Sequence, residues 1–299
     1  ALARILRQAP AERGLVLLTH PEERNVIRIY STEEARESIL KRQAPDDTVI
    51  PASLQQSITR LFGEALTPEQ AVTRILREVR REGDAALQRW SERLDGRAPQ
   101  SFRVTEEQLA KSIELITAPE LQALKNSAER IRRFYERQPL NSWIMQDSSG
   151  TLGQVIRPIQ RVGIYVPGGA APLASTVLMS AVPAQVAGVP EIVITAPPQR
   201  DTGVVAPIIL AACAILGIQE VNSLGGAQAV AALAYGTESI PAVDKIVGPG
   251  NLFVTLAKRQ VYGTVGIDGL AGPTETMVIA DENANPRWAA ADMLAQAEH

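Results

Sequence analysis

Cysteine and histidine are scarce in this sequence of 299 residues. Cys213 is the single cysteine, which excludes a disulfide framework or a cysteine-rich zinc module within the chain. Histidine occurs only at His20 and His299. Cys213 falls in an alanine-rich predicted helix, and no histidine is placed by the sequence to activate it. We therefore interpret Cys213 as a small core residue.

The sequence also lacks a strong charge imbalance and a long hydrophobic run. The formal net charge is -3, and basic and acidic residues are interleaved, which argues against a nucleic-acid partner. The longest apolar stretch, Val204 to Ile218, is interrupted by Pro207 and is shorter than the roughly 20 residues that cross a bilayer. No secretory signal pattern follows the first ten residues. We expect a soluble, cytoplasmic protein with no membrane partner.

Residues 26–160 are predicted to be mostly helical. Capping boxes begin at Ser31 and Thr105, and Thr67 precedes a proline at the first helical position. Between Pro68 and Arg81 the apolar residues recur with helical spacing, and Gly83 is placed to end that helix.

From about Val162 the pattern changes to short β-branched runs that alternate with alanine-rich helices. This pattern is typical of βαβ units on a parallel sheet. An internal repeat, in which a helix end and a glycine precede a glutamate and a strand, supports it at Glu191 and Glu220. The predicted strands are 162–166, 192–196, 221–224 and 245–247.

Three of these strands end in glycine-rich turns, Pro167–Gly169, Gly225–Gln228 and Gly248–Asn251. Because the carboxyl ends of parallel strands meet at one edge, we expect a ligand site there. The motif departs from a dinucleotide-binding fingerprint at two points: Phe253 stands in place of the third glycine, and no acidic residue follows at a strand end about 20 residues on. The spacing alone is therefore only moderate support for NAD as the ligand. Gln228 and Asn251 can either hold a ribose hydroxyl or cap the next helix.

Gln296 and His299 form a second candidate cluster. Residues three apart on a helix lie on one face and can share a metal ion. The same segment can equally carry a surface glutamine and a terminal histidine, and glutamine is an uncommon zinc ligand. From spacing alone both interpretations stay open.

Five motifs in order give the sequence a specific resemblance to the histidinol dehydrogenase family. They are Arg161–Gly169, Gly225–Ala229, Lys245–Asn251, Ala271–Glu275 and Leu294–His299. The resemblance begins near Ile27, so residues 1–25 form an extension of unknown role. It implies zinc- and NAD-dependent oxidation of L-histidinol to L-histidine through a bound aldehyde, in histidine biosynthesis.

The resemblance also assigns site residues. It implies NAD contacts at Tyr165, Gln228 and Asn251. It implies that Gln296 and His299 are zinc ligands and substrate contacts. The resemblance also implies that Thr274, where relatives often have serine, is a further substrate contact, since threonine keeps the hydroxyl. In the family a catalytic Glu-His pair follows the segment that corresponds to Leu294–His299. The family's enzymes are homodimers in which both subunits contribute to each active site.

The fold class expected is therefore α/β, with incomplete Rossmann-like parallel-sheet architecture after a mostly helical region. We assign residues 161–272 to the NAD-binding domain and 273–299 to the start of a second α/β domain. We expect this chain alone to be inactive, and we expect apolar residues to be exposed at Ile267, Leu270, Met277, Val278 and Ile279. The alternatives are another NAD-dependent alcohol or aldehyde dehydrogenase and a non-catalytic nucleotide-binding or assembly module.

Overall fold

The computed structural model describes residues 30–41, 50–97, 99–139, 141–168, 172–270 and 276–298. The chain divides into two compact units. The larger is Pro51–Gly272, and the smaller combines Ala1–Ile50 with Pro273–His299. Within the described ranges, no helix has both the length and the apolar character needed to cross a bilayer.

The first part of the larger unit is helical, as the sequence predicts. Its helices are α2 (Ala52–Phe62), α3 (Pro68–Glu82), α4 (Asp84–Asp95), α5 (Glu106–Ser112) and α6 (Ala118–Tyr135). The predicted capping box at Thr105 is present, the predicted helix start at Thr67 also forms a capping box, and Gly83 ends α3. A further capping box at Thr117, which the sequence analysis did not identify, begins α6. These local hydrogen bonds fix where each helix starts.

A two-stranded antiparallel hairpin follows, formed by β1 (Trp143–Asp147) and β2 (Gly150–Gln154). All ten residues of its strands are exposed. Trp143, Ile144 and Leu152 therefore present apolar side chains to solvent.

The remaining elements of the larger unit alternate between strand and helix. They are β3 (Arg161–Tyr165), α7 (Ala174–Val186), β4 (Glu191–Ala196), α8 (Pro207–Ile215), β5 (Glu220–Ser223), α9 (Gly226–Tyr235), β6 (Lys245–Val247), α10 (Leu252–Val261) and β7 (Gly266–Ile267). The strands form one parallel sheet in the order β5-β4-β3-β6-β7. The four predicted strands are confirmed to within one residue at each end.

Helices cover both faces of this sheet. On one face α3, α4, α9 and α10 pack over a cluster that includes Trp90, Tyr165 and Leu233. On the other face α5, α6, α7 and α8 pack over Ile164, Ile194 and their neighbours. A parallel sheet buried on both faces explains why its strands read as short apolar runs. The predicted α/β class is confirmed.

The internal repeat has a structural counterpart at the amino edge of the sheet. Glu191 and Glu220 are the first residues of β4 and β5, and both bind the guanidinium of Arg161 at the start of β3. The Arg161 Nη1 to Glu191 Oε2 distance is 2.6 Å. One arginine thus ties the amino ends of three neighbouring strands together, opposite the edge at which a ligand site is expected.

In the smaller unit the structure describes α1 (Thr32–Glu37) and α11 (Pro286–Glu298). The predicted capping box at Ser31 is present at the start of α1. Met277, Val278 and Ile279 are exposed, as expected. In the larger unit Leu270 is also exposed, whereas Ile267 is half-buried, so the expectation for Ile267 is only partly met.

Candidate nucleotide site at the carboxyl edge of the sheet

The strand order places a topological switch point between β3 and β6. From β3 the chain builds outward through β4 to β5, and it then returns to add β6 on the other side of β3. Open α/β sheets bind ligands in the crevice outside the carboxyl ends of the strands at such a point. Tyr165 ends β3 and Gly248 follows β6, so these two residues border the crevice.

The glycine turns pack closely against one another at this edge. A Cβ atom at Gly225 would lie 2.5 Å from the Cβ of Pro197, and one at Gly168 would lie 3.2 Å from its Cγ. Gly248 has a φ of 115°, and a Cβ there would overlap the carbonyl oxygen of Tyr165. Only glycine allows the backbone to fold this tightly at Gly248. The turns that follow β3, β4, β5 and β6 therefore meet in one place, as the sequence predicts for three of them.

Tyr165 lies at the centre of this edge. Its hydroxyl oxygen accepts a hydrogen bond of 3.2 Å from the backbone N–H of Gly226, the first residue of α9. Burial raises the pKa of this phenol, and the negative charge of Asp95 raises it further. The hydroxyl therefore stays protonated at neutral pH and keeps its own hydrogen available for an acceptor.

Gln228 is buried, and neither polar atom of its amide has a hydrogen-bond partner among the described residues. It is the third residue of α9, whose N-cap Gly225 makes no side-chain capping bond. A Cβ at Gly226 would lie 2.5 Å from the Gln228 Oε1 atom. Because both amide atoms lack partners, Gln228 does not cap the helix, and the capping alternative fails here.

Asn251, in contrast to Gln228, caps the helix that follows it. Its Oδ1 atom accepts a hydrogen bond of 3.1 Å from the backbone N–H of Val254 and so caps α10. Its side chain lies at the exposed mouth of the turn after β6. Capping uses only the carbonyl oxygen, so the Nδ2 group can still donate to a ligand.

Two charged residues that the sequence analysis missed hold the Gly248 turn in place. Lys258 is buried in α10, and its Nζ donates a hydrogen bond of 2.8 Å to the carbonyl oxygen of Gly248. Asp268 pairs with Lys258 and accepts a hydrogen bond of 2.8 Å from the Gly248 N–H. Lys258 is a charged residue on a helix face shared with Val254 and Val261, which is the signal that would have identified it.

Further polar groups lie across the same face of the sheet. Tyr165 pairs in register with Thr195, and Thr195 pairs in register with Asn222, so the three side chains share a face. The Oγ1 of Thr195 and the Nδ2 of Asn222 are buried without hydrogen-bond partners among the described residues. An unpartnered buried polar atom costs about 1–3 kcal/mol and calls for an explanation. Together with Gln228, these groups form a polar patch in an otherwise apolar core.

Cys213 lies away from this chemistry. It is buried in α8, and burial raises the pKa of its thiol to about 12. The thiolate is therefore absent at neutral pH, which confirms the interpretation of Cys213 as a core residue.

The second candidate cluster falls in the smaller unit. Gln296 lies on α11, and its Oε1 accepts a hydrogen bond of 2.6 Å from the Thr276 hydroxyl. Gln296 lines an open groove together with Met277, Val278 and Asp292. Thr274 and His299 lie outside the described residues. Within the described part of the chain, no group of three or more histidine, cysteine, aspartate or glutamate side chains is arranged to hold a metal ion.

Comparison with known proteins identifies the family. The family model described as histidinol dehydrogenase matches residues 63–299, which is most of the chain. The chain belongs to the histidinol dehydrogenase family. The resemblance inferred from the five motifs is thereby confirmed.

Individual histidinol dehydrogenases agree with this assignment. The enzyme of Deinococcus radiodurans is 56% identical over 251 residues, which are 84% of this chain and 57% of that protein. The enzyme of Thermus thermophilus is 46% identical over 271 residues, 91% of this chain and 60% of that protein. The crystal structure of histidinol dehydrogenase from Elizabethkingia anophelis superposes with a TM-score of 0.74 at 38% identity, covering 84% of this chain and 58% of that one. The chain thus spans less than two thirds of the length of these relatives.

Proposed function

We propose that the chain forms part of a histidinol dehydrogenase that oxidises L-histidinol to L-histidine through a bound aldehyde and reduces two NAD molecules. The observation that carries the proposal is the match of the histidinol dehydrogenase family over residues 63–299, which include the crevice at the carboxyl edge of the sheet. The family match supports the assignment for residues 63–299, and the proposal applies the family's activity to the whole protein. It includes a cytoplasmic location, as expected from the sequence.

The crevice suits a dinucleotide. Among the described residues the Gln228 amide has no hydrogen-bond partner, and the glycines let the turns around it approach closely. We assign Gln228, Tyr165 and Asn251 to the NAD site, with the amide and hydroxyl groups bonding to the ribose and phosphate oxygens. NAD supplies the hydride acceptor when it is bound. The residues of this chain orient it and keep water from the polar patch.

We further propose that Gln296 and His299 bind zinc and contact the substrate, and that the Thr274 hydroxyl contacts the substrate. The support for Gln296 is its oxygen, which the Thr276 hydroxyl already orients on α11. A ligand whose position is fixed by a neighbouring hydrogen bond loses less entropy when it binds a metal ion. Zinc held by these residues would supply a positive charge for binding the amino alcohol and the imidazole of histidinol.

Deprotonation of the alcohol needs a positioned base near neutral pH. In the family this role belongs to a Glu-His pair that follows the segment corresponding to Leu294–His299. We therefore propose that these 299 residues alone do not turn over histidinol, and that the active form is a homodimer with shared sites. The domain boundaries inferred at residues 26, 161 and 273 belong to the same proposal.

The test is NADH formation at 340 nm in the presence of L-histidinol, NAD and zinc. The 299-residue chain is compared with the product of the complete reading frame of its gene. We expect turnover only by the product of the complete reading frame, with two NADH formed for each histidine. Turnover by the 299-residue chain would refute the proposed inactivity. Saturable NAD binding without turnover by either protein would instead support a non-catalytic nucleotide-binding module.

A further inference from the structure

One element of a dinucleotide site is missing at its usual place in this fold. In sheets of this strand order, an acidic residue at the end of the second strand usually holds the adenosine ribose. The corresponding strand is β4, which ends at Ala196 and continues into Pro197 and Pro198. Neither Ala196 nor the two prolines carries a carboxylate that could accept hydrogen bonds from a ribose.

A carboxylate from a different element lies near this position. Asp95 is the last residue of α4, which packs against α9, and Gly96 ends the helix in the left-handed conformation. The guanidinium of Arg97 donates to the carbonyl oxygens of Asp201 and Thr202, each at 3.4 Å. The segment that carries Asp95 therefore lies against the loop that follows β4.

The surroundings of Asp95 do not satisfy its charge. The Oδ2 atom is buried and has no hydrogen-bond partner among the described residues. Burial raises the pKa of the carboxyl to about 6, although the positive charge of Arg200 opposes the rise. The negative charge of Asp95 also contributes to raising the pKa of Tyr165, the residue that ends β3. The Asp95 Oδ2 atom is thus an acceptor without a donor among the described residues, in a segment that lies against the loop after β4.

We propose that the Asp95 carboxylate accepts hydrogen bonds from the adenosine ribose hydroxyls of NAD and thereby selects NAD against NADP. The inference rests on the proposed NAD-dependent function. A vicinal diol offers two O–H donors, which match a carboxylate whose Oδ2 atom has no donor among the described residues. The 2′-phosphate of NADP would instead place negative charge beside it, and the two would repel each other.

Binding measurements test this role without recourse to turnover. Calorimetric titrations with NAD, NADP and an NAD analogue that lacks the adenosine 2′-hydroxyl are made on the wild-type chain and on Asp95→Asn. Glu92→Gln is the matched control, because Glu92 is an exposed acid on the same helix. Hydrogen bonds to a charged group contribute about 1.5–3 kcal/mol, so Asp95→Asn should weaken NAD binding by about 10- to 100-fold. Glu92→Gln should bind as the wild type does.

The deoxy analogue distinguishes a direct contact from a general loss of structure. The wild type should bind the analogue more weakly than NAD, whereas Asp95→Asn should bind the analogue and NAD with equal affinity. The preference for NAD over NADP should also fall in Asp95→Asn. An equal loss of affinity for the analogue in both proteins, or NAD affinity unchanged in Asp95→Asn, would overturn the role of Asp95 alone. Absence of NAD binding to the wild type would overturn the proposed function as well.

Discussion

Replacement of Asp95 by asparagine is expected to stabilise the protein at pH 8, because it removes a partly buried charge whose Oδ2 atom has no hydrogen-bond partner among the described residues. Burial raises the pKa of this carboxyl from 3.8 to about 6. The folded protein therefore holds the proton more tightly than the unfolded chain does. The cost of ionisation is absent below pH 3.8, grows as pH rises, and is complete above about pH 6.

The size of the effect follows from the same values. A pKa raised from 3.8 to about 6 corresponds to about 3 kcal/mol, at about 1.4 kcal/mol for each pKa unit. Asp95 is only half-buried, so solvent screening reduces this figure, and we expect a gain of roughly 1–2 kcal/mol in the free energy of unfolding at pH 8. In a protein of this size the melting temperature should rise by roughly 2–6 °C.

Thermal and urea unfolding of the wild type, Asp95→Asn and Glu92→Gln at several pH values between 4.5 and 8 would measure this effect. The advantage of Asp95→Asn should shrink as the pH is lowered, whereas Glu92→Gln should match the wild type throughout. The reasoning would be refuted if Asp95→Asn were less stable than the wild type at pH 8. A difference that did not change with pH would refute it equally, since it would show that ionisation is not the cause.

Three further outcomes are expected. Gly248→Ala should lower the free energy of unfolding by about 3–5 kcal/mol in urea titrations, because its φ of 115° is strained for alanine and the Cβ overlaps the Tyr165 carbonyl; an unchanged midpoint would contradict this. Lys258→Met should lower the free energy of unfolding by roughly 2 kcal/mol in the same assay, which is less than for a fully buried pair because the Asp268 side chain is 39% exposed. The double variant Lys258→Met/Asp268→Asn should recover part of this loss, because it also removes the unpaired carboxylate. Cys213 should resist iodoacetamide at pH 8 in the folded protein and react only on unfolding, which mass spectrometry would show.

The strands and turns of the sheet could be predicted because their signals are local. Short β-branched runs, the glutamates at the strand starts and the glycines at the strand ends all act within a few residues. The helix starts at Ser31, Thr67 and Thr105 are likewise set by a side chain that bonds three residues ahead.

The polar patch and its supports could not be predicted in this way. The segment that carries Asp95 meets the loop after β4 only because the helices and the sheet pack together, and Lys258 meets Gly248 only after α10 folds back on the turn before it. Gln228 and Asn251 both follow a glycine turn, but Asn251 caps its helix whereas the Gln228 amide has no partner among the described residues. This difference also depends on packing. Sequence spacing carries no information on such long-range contacts.

Calorimetric titration of NAD into the wild-type chain and Gln228→Leu tests the central claim most directly, because both polar atoms of the buried Gln228 amide have no partner among the described residues. Leucine removes two buried polar atoms at similar volume, so the variant should melt at a higher temperature and bind NAD at least tenfold more weakly. If Gln228→Leu bound NAD as tightly as the wild type, or if the wild type showed no saturable NAD binding, the assignment of this crevice to NAD would be contradicted.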